Sequence, residues 1–278
     1  MSSAIRRRIS LQKKLIALDL DGTVLDPHSK ITEKTKTILK RAQQAGHVVS
    51  IVTGRPYRLA AKYYDELNLK TPMINFNGAL VHIPHLSWRK EYQKTFPKEI
   101  IAQLLGKKEQ LGIQAITVEA KQSFLIEHAQ NVHSPFFPDP VTETQVLKKS
   151  HLKKNPAAAT LLVKQQRENQ LAVWLKEKFG NQVNVGVWGG PAPIIELAPH
   201  GINKAFGLAY LADYFGFLRQ DILAFGDEHN DQEMIAYAGW GVAMKNGTDT
   251  LKKVANDITA LDNAHDGLAD YLAAKLHL

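Results

Sequence analysis

The sequence predicts an α/β protein: a doubly wound parallel sheet of Rossmann-like kind, interrupted by an inserted α+β domain. Three observations predict it. Strands and helices alternate over residues 15–79, the pattern changes from Ile83 to Pro193, and alternation resumes from about residue 203 to the C-terminus. On this division residues 1–14 are a basic leader, residues 15–82 and 194–278 form one discontinuous core, and residues 83–193 form an inserted domain of ordinary size.

The first strand is LIALDL (15–20), a continuous apolar run ending in acids and glycine, as a strand buried on both faces should read. A helix follows from Thr32, a fitting N-cap, to Ala45, with Gly46 as its stop. HVVSIVT (47–53) is a β-branched second strand, broken by Gly54-Arg55-Pro56 before a helix that runs to Leu67. PMINFNGA (72–79) reads as a third strand of the same sheet. In the insertion a helix over Lys98–Gln110 precedes ITVEA and SFLIEH, two strands paired around Lys121-Gln122. AATLLVK (158–164), a helix at 168–179, VNVGVW (183–188) and PIIELA (193–198) follow, and the Pro-rich stretch 133–141 is an irregular loop. The last third alternates: helix 203–215, strand 221–227, helix 231–237, strand 239–244, helix 248–255 and an amphipathic helix from Asp266.

With 278 residues and 44% apolar content the chain has the composition of a globular protein, not of a collagen-like or disordered one. The absence of cysteine excludes disulfides, thiolate metal sites and thiol nucleophiles. The basic N-terminus followed by Leu15–Leu20 imitates a secretory signal, but the apolar run is short and enters Asp19, Asp21 and Gly22 without a small-residue cleavage site. The leader is read as disordered and the protein as soluble and cytoplasmic, with no membrane span. The net charge of +8 invites a nucleic-acid partner. Residues 1–82 carry 14 basic and 6 acidic groups, residues 83–200 carry 15 and 10, and residues 201–278 carry 6 and 11. Five of the basic residues (Arg6, Arg7, Arg8, Lys13, Lys14) lie in the leader, and most of the others are scattered lysines. Attraction of small anions is the better reading of this charge, and no specific nucleic-acid partner is expected.

The strongest chemical signal is Asp19-Leu20-Asp21-Gly22-Thr23. Two carboxylates two residues apart at a strand end project to one side, because side chains alternate. They lie where open parallel sheets bind ligands, outside the carboxyl ends of the strands, and Gly22 lets the chain turn away. A capped turn is the plain alternative.

DLDGT resembles the first motif of the haloacid-dehalogenase phosphatases, and three further motifs stand in the expected order: Thr53 in IVTGR, Lys204 in PHGINKAFGL, and Asp227 in LAFGDEHND. NFNGA, GVAMKNG (241–247) and AHDGLADYL are similar to the Cof-type sugar-phosphatase branch, whose large α/β cap matches the insertion. The resemblance spans essentially the whole chain outside the leader.

It implies a phosphomonoester hydrolase acting on a small phosphorylated metabolite, and the chemistry suits the residues. Asp19 is the expected nucleophile, giving an aspartyl-phosphate, and Asp21 the general acid and base. Asp19, Asp227 and the backbone carbonyl of Asp21 offer hard oxygen ligands for Mg²⁺, with Asp231 as an outer or water-bridged partner. Thr53, the backbone N–H groups of Leu20 and Gly54, the Lys204 ammonium and Asn230 would hold the phosphoryl oxygens. In isolation Thr53 reads as a strand-end residue and Lys204 as a solvated first-turn lysine; the ordered set favours phosphate binding. Asn77-Gly78 is a turn at the pocket edge. Arg55 is left open between an anion contact and a surface role. His229 beside carboxylates raises a transition-metal alternative, but no second histidine stands at ligand spacing. Trp188-Gly189-Gly190 and Phe136-Phe137-Pro138 are read as core and turn residues of the cap. The cap is expected to close over the leaving group and select it, sugar phosphates leading and flavin mononucleotide, pyridoxal phosphate and nucleotides remaining open. A phosphomutase on the same scaffold and a non-catalytic basic binding module are the alternative functions.

Overall fold

Leu15–Leu18 form β1, and all four side chains are fully buried. The computed structural model describes residues 13–127, 136–138, 142–188 and 192–278. The leader up to residue 12, the flanks of the Pro-rich loop and Gly189-Gly190 lie outside the described residues. β1 is followed by α1 (Glu33–Gln44) and β2 (Val48–Ile51), then by α2 (Tyr57–Glu66), β3 (Met73–Asn75), β4 (Leu80–His82) and β5 (Tyr92–Gln93). Next come α3 (Lys98–Gly106), α4 (Lys108–Leu111), β6 (Ile113–Ala120), β7 (Ser123–Ile126), β8 (Ala158–Val163), α5 (Glu168–Phe179), β9 (Val183–Val187) and β10 (Ile194–Pro199). The chain ends with α6 (Lys204–Phe215), β11 (Ile222–Gly226), α7 (Gln232–Tyr237), β12 (Trp240–Ala243), α8 (Asp249–Val254), β13 (Asp257–Ile258) and α9 (Gly267–Leu276).

The chain divides into two units, Met1–Ile51 with Ala209–Leu278, and Val52–Leu208. The first is a parallel sheet of order β13-β12-β11-β1-β2. β1 sits between β11 and β2, which explains why its sequence is apolar throughout rather than alternating. Thr32 caps α1, its side chain accepting the Thr35 N–H at 3.1 Å. Lys14, assigned above to a disordered leader, is instead tied into this unit. Its N–H donates to His47 Nδ1 at 3.1 Å, its carbonyl accepts from the Val48 N–H, and its ammonium lies 3.5 Å from Asp221 Oδ1. The β1–β2 pairing thus starts one residue earlier than hydropathy suggests.

The second unit holds a mainly antiparallel structure. β3, read above as a third strand of the parallel sheet, pairs antiparallel with β4, which pairs with β5. Its parallel character survives in one bridge, Val52 to Ile74. Residues 52–82 and 194–208, expected in the core, fall within this unit. The helix expected over Lys98–Gln110 is broken at Lys107, whose backbone is not helical, next to the weak helix former Gly106.

The five-stranded sheet of this unit runs β7-β6-β8-β10-β9, all pairs antiparallel. One face is apolar: Ile116, Val118, Leu161, Ile195 and Leu197 pack with Ile101 and Leu104 of α3 and Leu171 and Leu175 of α5. The other carries a polar row, because Thr117 stands opposite Thr160, Thr160 opposite Glu196, and Glu196 opposite Gly186. Phe136, Phe137 and Trp188 pack at one end of that face with Leu162 and Ile194, as core and turn residues should.

Candidate active site

In the first unit the site begins where β1 ends. Asp19 is extended, only 5% exposed, and donates its N–H to the Phe225 carbonyl at 3.1 Å, one hydrogen bond beyond the β1–β11 ladder. The chain then folds into a tight turn over Leu20–Val24, with Gly22 in the left-handed region at φ 69°. Leu20 is buried, and its carbonyl accepts from the Leu25 N–H. Strand geometry ends at Leu18, so alternation does not govern the Asp19–Asp21 pair. Asp19 is buried and Asp21 exposed, two environments for one residue type.

The second arm comes from the end of β11. A Cβ on Gly226 would stand 2.4 Å from Asp231 Cγ, so glycine is needed for the Asp231 carboxyl to approach. Asp231 is fully buried, and its Oδ2 accepts the N–H groups of Asp227 at 3.1 Å and Glu228 at 3.2 Å. This carboxylate therefore holds the turn that presents Asp227. Thr23 Oγ1 donates to Asp227 Oδ1 at 3.4 Å, and Asn246 Nδ2 donates to the Gly22 carbonyl at 2.8 Å. Asp19, Asp227 and Asp231 each offer an oxygen, all within 4.8 Å of one another. Three carboxylates so close repel unless a cation lies between them, and an all-oxygen donor set suits Mg²⁺. The cluster contains no histidine. His229 is exposed, its Nδ1 3.3 Å from Glu228 Oε2, which removes the observation behind a histidine metal site. Asn230 stands beside it in the 3₁₀ turn His229–Asp231.

Thr53, Gly54 and Lys204 belong to the second unit. Thr53 is 1% exposed; its N–H donates to the Ile74 carbonyl, and its Oγ1 accepts the Arg55 N–H at 3.1 Å. That acceptance leaves the hydroxyl proton available for donation. The turn is fastened from behind. Asn75 Nδ2 donates to the Arg55 carbonyl at 3.0 Å, and Asn75 Oδ1 lies 2.9 Å from His82 Nε2. Burial pushes the His82 imidazole down to about 3, so it is neutral and donates from Nε2. The Arg55 guanidinium carbon lies 5.4 Å from the Tyr63 ring centre, a cation–π position. Lys204 opens α6 and is only 1% exposed, which excludes the solvated-lysine reading.

Two acids of this unit were not singled out from the sequence. Glu119 takes a two-pronged hydrogen bond from Arg58, Nε to Oε2 at 2.8 Å and Nη2 to Oε1 at 2.9 Å. Its burial raises the carboxyl pKa against the pull of Arg58. Glu196 accepts from Asn77 Nδ2 at 3.2 and 3.1 Å and from Trp188 Nε1 at 3.4 Å. Burial pushes its carboxyl up to about 7, opposed by the Trp188 and Asn77 hydrogen bonds and the Lys204 charge. The sequence did carry a signal: each is a lone acid inside an apolar strand run, ITVEA and PIIELA, where a charge needs a reason.

A family model described as haloacid dehalogenase-like hydrolase matches residues 16–272, nearly the whole chain. This chain belongs to the haloacid dehalogenase-like hydrolases. It is similar to the 5-amino-6-(5-phospho-D-ribitylamino)uracil phosphatase YitU of Bacillus subtilis, 36% identical over 93% of this chain and 96% of that one. A haloacid dehalogenase-like hydrolase from Bacteroides thetaiotaomicron superposes with a TM-score of 0.78 at 25% identity, covering 95% of this chain and 99% of the other. The phosphatase BT1666 of the same organism gives 0.76 at 22% identity over 99% of both chains. As a haloacid dehalogenase-like hydrolase, the protein is an enzyme of the phosphatase kind. No helix among its described residues is long and apolar enough to cross a membrane.

Proposed function

We propose that the protein is a Mg²⁺-dependent phosphatase of small phosphomonoesters, sugar or sugar-alcohol phosphates above all, working in the cytoplasm through an aspartyl-phosphate. The observation that carries it is the convergence of Asp19, Asp227 and Asp231 at the carboxyl ends of β1 and β11. The substrate named for the 36% identical relative, a phosphorylated ribitylamino-uracil, supports a sugar-alcohol leaving group.

In this reading an Asp19 carboxylate oxygen attacks phosphorus, and the ester oxygen leaves with a proton from Asp21. Water then attacks phosphorus and gives a proton back to Asp21; inorganic phosphate departs and Asp19 is restored. The contrast in burial suits the two roles, since the exposed Asp21 can exchange protons while Asp19 is held rigidly by its backbone. Asp19, Asp227 and the Asp21 carbonyl would hold Mg²⁺, with Asp231 behind Asp227; the ion supplies charge neutralisation for the phosphoryl oxygens. Thr53 and Lys204, with backbone N–H groups of Leu20 and Gly54 and the Asn230 side chain, are assigned to those oxygens by their motifs. No specific nucleic-acid partner is part of this reading. The test is phosphate release from a panel of phosphomonoesters with Mg²⁺ and with EDTA. Release that needs Mg²⁺ and vanishes in Asp19→Asn supports the proposal, and an active Asp19→Asn protein overturns it.

A further inference from the structure

β9 is an edge strand of its sheet, and Gly186 sits in its interior, directly opposite Glu196. A glycine inside a strand weakens it and marks a place where something approaches the backbone closely. Among the described residues, a Cβ built at Gly186 meets no atom within 4 Å, so they leave the space over this residue open. Two residues on, Trp188 rises from the same face, and its indole N–H reaches Glu196 Oε2. Open backbone is thus bordered by Glu196 across the ladder and by Trp188 along the strand, and these two side chains are bonded to each other.

The position of this space relative to the Thr53 turn comes from Asn77. Its N–H donates to the Thr53 carbonyl at 3.2 Å, and its side-chain oxygen would lie 3.0 Å from a Cβ on Gly54. Its amide nitrogen bonds both Glu196 oxygens. Glu196 therefore stands one side chain, Asn77, away from the Thr53–Gly54 turn.

We propose that the space over Gly186, beside the hydrogen-bonded pair Glu196 and Trp188, receives the hydroxyl-bearing carbon chain of the substrate. Glu196 accepts hydrogen bonds from its hydroxyls, and the Trp188 ring packs against its C–H face. This rests on the phosphatase reading above and adds the residues that select a polyol. A carboxyl group half-buried beside an indole loses hydrogen-bond donors to water exclusion, and vicinal hydroxyls restore them.

The experiment compares kcat/KM for D-ribitol 5-phosphate and for p-nitrophenyl phosphate, which has no aliphatic hydroxyl, in the wild-type chain and in Gly186→Leu and Glu196→Gln. Filling the space or weakening the acceptor should lower the ribitol-to-nitrophenyl ratio about tenfold, chiefly through KM. Gly186→Ala, with a smaller drop in the same ratio, serves if the leucine variant does not fold. An unchanged ratio in folded variants overturns the subsite while the phosphatase reading stands. A wild-type enzyme that cleaves the nitrophenyl ester but does not favour ribitol 5-phosphate overturns the polyol class. No release from either ester overturns the phosphatase reading and the subsite with it.

Discussion

Gly22 and Asp227 are packed so closely that a Cβ on the glycine would fall 2.0 Å from Asp227 Oδ2. Gly22 is also left-handed at φ 69°, a conformation that costs an L-residue about 1–2 kcal/mol. Gly22→Ala should therefore do more than destabilise: it should push Asp227 out of the carboxylate cluster. We expect the Mg²⁺ concentration for half-maximal phosphate release to rise about 10–100-fold. A titration with Mg²⁺ checks this, and an unchanged midpoint would separate Gly22 from the metal site.

Asp21→Asn should slow turnover most for esters with poor leaving groups, because the missing proton matters most there. Rates plotted against leaving-group pKa should steepen in the variant. Parallel plots for variant and wild type would remove Asp21 from acid catalysis.

Asp231 holds the N–H groups of Asp227 and Glu228 from a fully buried position. Asp231→Ala leaves both donors without that acceptor and should cost about 1–3 kcal/mol in urea unfolding. Asp231→Asn keeps an oxygen there and should recover most of the loss. Equal losses for the two variants would contradict the hydrogen-bonding role.

The Arg58–Glu119 pair offers a cycle. Arg58→Met strands a carboxylate that is 5% exposed and should destabilise the protein by about 3 kcal/mol. The double variant Arg58→Met with Glu119→Leu removes the stranded charge and should be more stable than Arg58→Met alone. Chemical denaturation of the four proteins reads the sign directly.

Glu196 makes stability depend on pH. Burial raises its carboxyl from 4.5 to about 7 in the folded chain, against the Trp188 hydrogen bond and the Lys204 charge. The folded state therefore binds more protons than the unfolded one between these values. The resulting stabilisation is complete below pH 4.5 and is lost as pH rises to about 7. Tm should fall over that window in the wild type and fall less in Glu196→Gln; identical slopes would refute the shift.

Much of the fold was legible because burial writes itself into composition. The unbroken apolar run of β1 announced a strand with neighbours on both sides, and Thr32 announced the start of α1 through its side-chain acceptor. The helix at 168–179 was legible to the residue. β3 was legible only in part, since Met73-Ile74-Asn75 is too short to record that its ladder partner runs antiparallel while its one bridge to Val52 is parallel. Lys14 was read as leader because a charged residue has no hydrophobic period, although its backbone already pairs with Val48.

The candidate site divides the same way. Asp19 and Asp21 stood out from the sequence as paired acids at a strand end, and Thr53, Lys204 and Asp227 through the resemblance of their ordered motifs to those of one family. Only tertiary structure decided that Asp231 is fully buried and holds the Asp227 turn, that Lys204 is buried, and that Glu196 lies opposite a bare Gly186 beside Trp188. The reason is physical. A catalytic group is recognised by chemistry that its own side chain carries, whereas burial, a shifted carboxyl and an open space are properties of neighbours brought together from distant positions by strand register.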